Sequence, residues 1–329
     1  MKLLLERLYS QQILDRATAY DTLKRIGTEP VSEAEIAAVL SAINMRPAAL
    51  PEIEGFRDAM LELARPVDLQ GRETVDIVGT GGDGKNTFNI STLSSVVVAG
   101  AGYPVTKHGS YGVSSSVGSS DVLIALGYEF TDDQDEILRR LDRSGIVFLH
   151  APLFHPAMKA GVPVRRSLRV RTFFNLLGPL INPARPRYQL FGTFNREVQR
   201  IYDYILQPEA DREYTILHAL DGYDEVSLTG PVSVRSRRHQ RLLRPEDFGL
   251  PAVEPRELYG GETAGEGKAI FLGVLNGAGT QGQVAAVCAN AALAIQTFHP
   301  EKLLQDCVAE ARASIESGRA LRTLQKMIP

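Results

Sequence analysis

Residues 76–92 (DIVGTGGDGKNTFNIST) constrain the fold more than any other stretch of the chain. They pass from an apolar, strand-like run through a glycine-rich polar turn into residues suited to open a helix. A strand tip followed directly by a helix N-terminus is an anion cradle. Gly79, Gly81, Gly82 and Gly84 let the backbone take positive φ and approach a ligand, and Asn89, Ser91 and Thr92 add donors where first-turn N–H groups have no helical partner. The spacing from Gly79 to Lys85 satisfies the G-x-x-x-x-G-K pattern of nucleotide P-loops. Asn86, however, stands where that motif needs Ser or Thr to ligate Mg²⁺. An ordinary strand-to-helix loop with a cap is the other reading of this segment alone.

The rest of the chain gives the cradle a setting. With 329 residues it can bury a large core, one large domain with a smaller one attached. A charged fraction of 23% and a formal net charge of −3 argue against disorder and exert no global pull on nucleic acid or anionic membrane. The only cysteines, Cys288 and Cys307, fall in no disulfide or zinc pattern, which suits a reducing cytoplasm. Glu6 and Arg7 interrupt the apolar opening too early for an export signal, and no run of about 18 apolar residues suggests a membrane span.

Residues 1–67 read as a helical domain. Ser32 and Glu35 form a capping box ahead of Ile36, Val39, Leu40 and Ile43 at helical spacing, and Ile53, Phe56, Met60 and Leu63 mark a further helix. Helices within about 160–187 are expected to join it. From residue 70 to 329 short apolar runs alternate with helical patterns. Strands are expected at 75–78, 104–106, 146–149, 188–191, 215–218 and 269–274, and helices at 92–99, 121–126, 136–143 and 283–295. Such alternation means an α/β domain with a mostly parallel central sheet, whose ligands gather at the carboxyl ends of strands.

Three more segments carry chemistry. Residues 107–121 (KHGSYGVSSSVGSSD) form a second cradle, in which Lys107 supplies a point charge, Gly109, Gly112 and Gly118 permit a backbone wrap, and Ser114, Ser115 and Ser119 donate. A plain Ser/Gly surface loop is the alternative, made weaker by Lys107 and His108 at its entrance. Residues 155–159 (HPAMK) and 164–179 (VRRSLRVRTFFNLLGP) set arginines beside aromatics. Arg165 suits a planar carboxylate, whereas Arg166, Arg169 and Arg171 are expected to be mostly solvated or paired. Finally, Asp224 and Glu225 sit in a turn after a strand and are oxygen donors of the kind Mg²⁺ accepts alongside water and phosphate.

Taken in order, these segments resemble the anthranilate phosphoribosyltransferase family. The likeness runs over nearly the whole chain, through residues 79–83, 89–92, 107–109 and 155–159, Arg165, Asn175, residues 178–180, and Asp224 with Glu225. It implies transfer of phosphoribosyl from phosphoribosyl pyrophosphate to anthranilate, two Mg²⁺ per active site, and a homodimer formed through the helical domain with a hinge between the domains. It also implies roles. Gly79, Gly82, Asp83, Thr87, Asn89, Ile90, Ser91 and Thr92 would bind phosphoribosyl pyrophosphate, enclosed by Lys107, His108, Gly109, Ser110, Tyr111, Gly112, Val113, Ser114, Ser115 and Ser119. Ser91, Asp224 and Glu225 would ligate the metal, while Gly79, Arg165 and position 110 would touch anthranilate. No general base is assigned; Lys107 would steady the leaving diphosphate.

The chain departs from the family pattern at three points. Ser110 replaces the usual Asn, losing an amide's donor and acceptor pair. Tyr111 stands where many members carry Arg, and Arg169 where Gly is common. A related transferase or nucleoside phosphorylase with another acceptor is therefore a rival reading. A non-catalytic nucleic-acid binder is another, prompted by Arg235, Arg237, Arg238, Arg241 and Arg244. That run lacks interleaved aromatics and reads more simply as a hairpin or loop with a solvated basic face.

Overall fold

The computed structural model describes residues 1–112 and 117–328. The chain divides into two compact units, one made of residues 1–67 and 151–185, the other of residues 68–150 and 186–329.

The first unit is helical. Its main helices are Lys2–Tyr9, Arg16–Thr28, Glu33–Asn44 and Leu50–Glu62. The Ser32 hydroxyl accepts from the Glu35 amide at 3.3 Å and the Glu35 carboxylate accepts from the Ser32 amide at 3.1 Å, closing the capping box. Ile36, Val39, Leu40 and Ile43 are all buried, as a helical stripe requires. Gly55 lets the helix Leu50–Glu62 press against the helix Arg16–Thr28, because a Cβ there would strike the Arg16 carbonyl and Ala19. The returning segment contributes Phe173, which stacks on Phe56 at 4.1 Å between ring centroids.

The second unit is built on a sheet with, among the described residues, seven strands: β1 (Val75–Gly79), β2 (Val105–Gly109), β3 (Ile146–His150), β4 (Tyr188–Gly192), β5 (Glu213–Ala219), β6 (Val232–Ser236) and β7 (Gln240–Leu243). Their order is β3-β2-β1-β4-β5-β6-β7, parallel from β3 to β5 and antiparallel beyond. Parallel strands buried on both faces read as continuous apolar runs, which is why β1, β3, β4 and β5 stand out in sequence. The chain leaves β1 toward β2 and β3, then returns on the opposite side as β4. The β1/β4 boundary is thus the switch point where a parallel sheet opens a crevice at its carboxyl edge.

One expected strand is a helix. Residues 269–274 belong to the helix Ala264–Leu275, opened by a capping box between Thr263 and Glu266. Phe271, Val274 and Leu275 bury one helical face, and six apolar residues in a row do not by themselves distinguish the two conformations. No helix among the described residues is long and apolar enough to cross a membrane.

Candidate active site

Gly79 and Gly192 are the last residues of β1 and β4 and lie opposite each other in register. Neither has a side chain to fill the switch-point crevice, and the chain after β5 uses that space. Asp224 lies over both: a Cβ on Gly79 would collide with its carboxylate, and one on Gly192 with its carbonyl. The Gly81 amide donates to Asp224 Oδ2 at 2.7 Å, made possible by left-handed backbone at Gly81 (φ 62°) and Gly82 (φ 74°). The first cradle and the acidic turn thus meet at one point.

Glu225 completes the join. Its carboxylate accepts from the Ser91 amide at 2.9 Å, in the first turn of the helix Ile90–Ala101, and from the Thr87 hydroxyl at 3.4 Å. Asp83 Oδ1 accepts from the Lys85 amide at 2.9 Å and its Oδ2 faces the Asp224 amide at 3.5 Å. Burial pushes the Asp224 carboxyl up to about 7, with the Asp83 charge adding to the effect. Burial also raises Glu225 well above the usual carboxylate range, reinforced by Asp224 and Asp83, and raises Asp83 itself. Three acids held this close are a site whose charge a cation would relieve.

The donor set fits a hard divalent cation. Asp224, Glu225 and Ser91 offer oxygen only. Among the described residues no group of three His, Cys, Asp or Glu side chains converges to hold a metal outright. Mg²⁺ tolerates such an incomplete protein shell because water and phosphate oxygens fill the remainder. The Thr92 hydroxyl, next in sequence to Ser91, is buried without a hydrogen-bond partner.

Lys107 lies on β2, between the two cradles and the acids. Its side chain is 2% exposed, and its ammonium donates to the Ile77 carbonyl at 2.5 Å. Burial depresses its pKa, opposed by the charges of Asp76, Glu225 and Asp224. Lys107 thus lies inside the sheet as a counter-charge to the acids. Asp76, buried on β1, accepts from the His108 amide at 3.1 Å and so ties the two strands together.

The second cradle begins where β2 ends. A Cβ on Gly109 would meet the Phe148 ring at 2.7 Å. The Ser110 carbonyl accepts from the Ser120 amide at 3.2 Å, while Asp121 Oδ2 accepts from Gly112 and Gly118 at 3.2 and 2.8 Å. Tyr111 is half exposed with its edge to His150, whose ring stacks on Phe130 and bonds the Ser120 hydroxyl at 2.9 Å. Asn89 donates to the Val117 carbonyl at 3.1 Å, linking the cradles, and Ser119 opens the helix Ser119–Leu126. Val113, Ser114 and Ser115 lie outside the described residues.

Arg165 belongs to the helical unit. Its guanidinium lies 5.2 Å from the Phe174 ring centre, and burial lowers its pKa. Arg166, Arg169 and Arg171 are exposed.

Several residues escaped the sequence reading. Gly192 ends a strand in an ordinary way, and its role depends on a turn more than thirty residues later. Asn290, buried on the helix Gln281–Phe298, accepts from the Val226 amide at 3.0 Å and donates to the Val226 carbonyl at 2.9 Å, clamping the backbone just beyond Glu225. The arginine run is engaged inside the chain. Arg235 pairs with Asp203 at 3.0 Å, and Arg237 donates to the carbonyl of Leu206, at the end of the helix Arg196–Leu206, and to those of Gln207, Glu209 and Arg212 beyond it. Arg238 reaches Glu213, and Arg241 bonds Gln296.

Comparison with known proteins matches this architecture. The helical bundle domain of a glycosyl transferase family matches residues 2–64, and its a/b domain matches residues 71–321. The anthranilate phosphoribosyltransferase of Cytophaga hutchinsonii is 47% identical over 328 residues, covering 100% of each chain. The crystal structure of the Thermus thermophilus enzyme of that name superposes with a TM-score of 0.88 at 33% identity, covering 98% of this chain and 97% of that one. The Saccharomyces cerevisiae enzyme in complex with PRPP and Mg gives a TM-score of 0.89 at 27% identity, over 98% and 95% of the two chains.

Proposed function

The chain belongs to the anthranilate phosphoribosyltransferase family, and we propose that its switch-point crevice carries out that family's reaction as a step of tryptophan biosynthesis. Phosphoribosyl passes from 5-phosphoribosyl 1-pyrophosphate to the amine of anthranilate, giving N-(5-phosphoribosyl)anthranilate and pyrophosphate. The observation that carries this reading is the laying of Asp224 across Gly79 and Gly192, which brings an acidic pair and two glycine-rich cradles to one strand edge.

In the reaction the ribose C1–oxygen bond to the diphosphate breaks and a C1–nitrogen bond to the arylamine forms. Bonding to C1 makes the amine nitrogen positively charged and strongly acidic, and its proton passes to water, so no strong base is needed from the protein. Ser91, Asp224 and Glu225 would hold Mg²⁺, which when bound neutralises charge on the diphosphate; two ions per site is our expectation. The backbone of residues 79–92 and the Thr92 hydroxyl orient the phosphates, and buried Lys107 supports the acids from beneath. Arg165 is proposed as an acceptor contact on family likeness alone. Assembly as a homodimer in the cytoplasm is proposed on the same basis; Cys288 and Cys307 are both buried free thiols.

The test is anthranilate fluorescence. Its decay should require both phosphoribosyl pyrophosphate and Mg²⁺. Stable fluorescence alongside turnover of another arylamine or a nucleoside would overturn the acceptor assignment, which Ser110 makes the point most worth measuring.

A further inference from the structure

Lys85 has no part in the roles assigned above, yet its position is specific. Gly84 takes a left-handed conformation (φ 75°), and Asp83 Oδ1 holds the Lys85 amide at 2.9 Å. These turn the side chain back over the acidic turn, where its ammonium sits 4.6 Å from the centre of the Tyr223 ring. Tyr223 is buried and directly precedes Asp224. The Lys85 charge is close enough to the Asp83 carboxyl to oppose its rise in pKa. No carboxylate pairs with Lys85 itself among the described residues. An ammonium over a ring face keeps its three donors available, and this contact is worth only about 0.5–1 kcal/mol where water has access.

We propose that Lys85 is a further diphosphate-binding residue of this site, resting on Tyr223 when the site is empty and transferring to a phosphate oxygen when a magnesium diphosphate binds. The inference rests on the function proposed above and adds a residue to it. Lys107 cannot fill this role directly, because its ammonium is buried and bonded to Ile77. A flexible, half-buried lysine at the rim can reach an oxygen at small cost, since only a weak contact is exchanged for a charge-assisted hydrogen bond.

The experiment compares wild-type protein with Lys85→Met and Lys85→Arg, using calorimetric titration with magnesium pyrophosphate at several salt concentrations and steady-state kinetics. Lys85→Met should weaken pyrophosphate binding about tenfold, flatten its salt dependence, and raise KM for phosphoribosyl pyrophosphate with KM for anthranilate unchanged. Lys85→Arg should retain most of the affinity. Equal pyrophosphate affinity in wild type and Lys85→Met overturns the proposal, as does a wild type that binds no magnesium pyrophosphate. A wild type that binds it and leaves anthranilate untouched, with binding still lost in Lys85→Met, supports Lys85 while overturning the acceptor reading.

Discussion

The carbonyl of Asp224 occupies the space in which a side chain at Gly192 would begin. Because Gly192 pairs in register with Gly79, this one vacancy lets the turn after β5 cross the ends of both central strands and place its carboxylate on the cradle.

Gly192→Ala should therefore disturb the site through the backbone. The clash is with a carbonyl held by its own chain, so relief requires the turn to move. We expect a loss of about 2–3 kcal/mol in stability and at least about a hundredfold in kcat/KM. Urea unfolding and initial rates would check both, and a variant with wild-type rates would show that Asp224 need not lie over β4.

Asp224→Asn combined with Glu225→Gln removes the negative charge while preserving size. The far-ultraviolet dichroism should be unchanged; relief of repulsion among the acids is offset by the loss of two counter-charges to buried Lys107, which keeps Asp76, so the metal-free variant should melt within a few degrees of wild type. Any rise in melting temperature that Mg²⁺ with pyrophosphate gives wild type should vanish, and turnover should fall at least about a hundredfold. Differential scanning calorimetry with and without ligand tests the assignment.

Ser110→Asn restores an amide at a position whose carbonyl is already held by Ser120. The backbone need not change, so the effect should appear in one substrate only. KM for anthranilate should fall about fivefold, the worth of one hydrogen bond, with KM for phosphoribosyl pyrophosphate steady. An unchanged KM for anthranilate would remove position 110 from the acceptor contacts.

Arg169 adopts φ 54°, a left-handed conformation that a side chain disfavours and glycine takes freely. It ends the helix Val162–Leu168 with its side chain exposed. Arg169→Gly should stabilise the protein by about 0.5–1 kcal/mol, the relief of strain exceeding the added freedom of the unfolded chain. A denaturation midpoint at or below wild type would contradict this.

His155 supplies a pH dependence in the helical unit. It is 1% exposed, and burial lowers its pKa from 6.5 to about 4, partly offset by backbone hydrogen bonds with Ile181 and Met60. Between those values the unfolded chain binds a proton that the folded chain refuses, so stability is complete above pH 6.5 and lost as pH falls toward 4. The contribution is about 3 kcal/mol. In urea titrations from pH 7 to 4.5, His155→Gln should show a shallower loss than wild type; an identical slope would clear His155 of the effect.

The central parallel strands and the helices that follow the cradles were legible because local patterns specify them: apolar runs for strands, Ser32 with Glu35 for a helix start, and Gly79 to Gly84 for a turn that comes near a ligand. Residues 269–274 misled because a short apolar run fits a strand and a buried helix equally. The pair Asp224 and Glu225 was recognisable as a donor set, and the whole chain's likeness to one family made its role an expectation. Sequence alone thus determined the sheet's class and the glycine-rich turns at its strand ends, and made their ligands an expectation. Tertiary structure decided the rest. The sheet order makes Gly79 and Gly192 neighbours, Asn290 on a distant helix clamps the backbone just beyond the acids, and the packing of the sheet buries Lys107 while leaving Lys85 partly exposed. Proximity between distant segments and exclusion of water arise from packing, and neither is encoded at any single position.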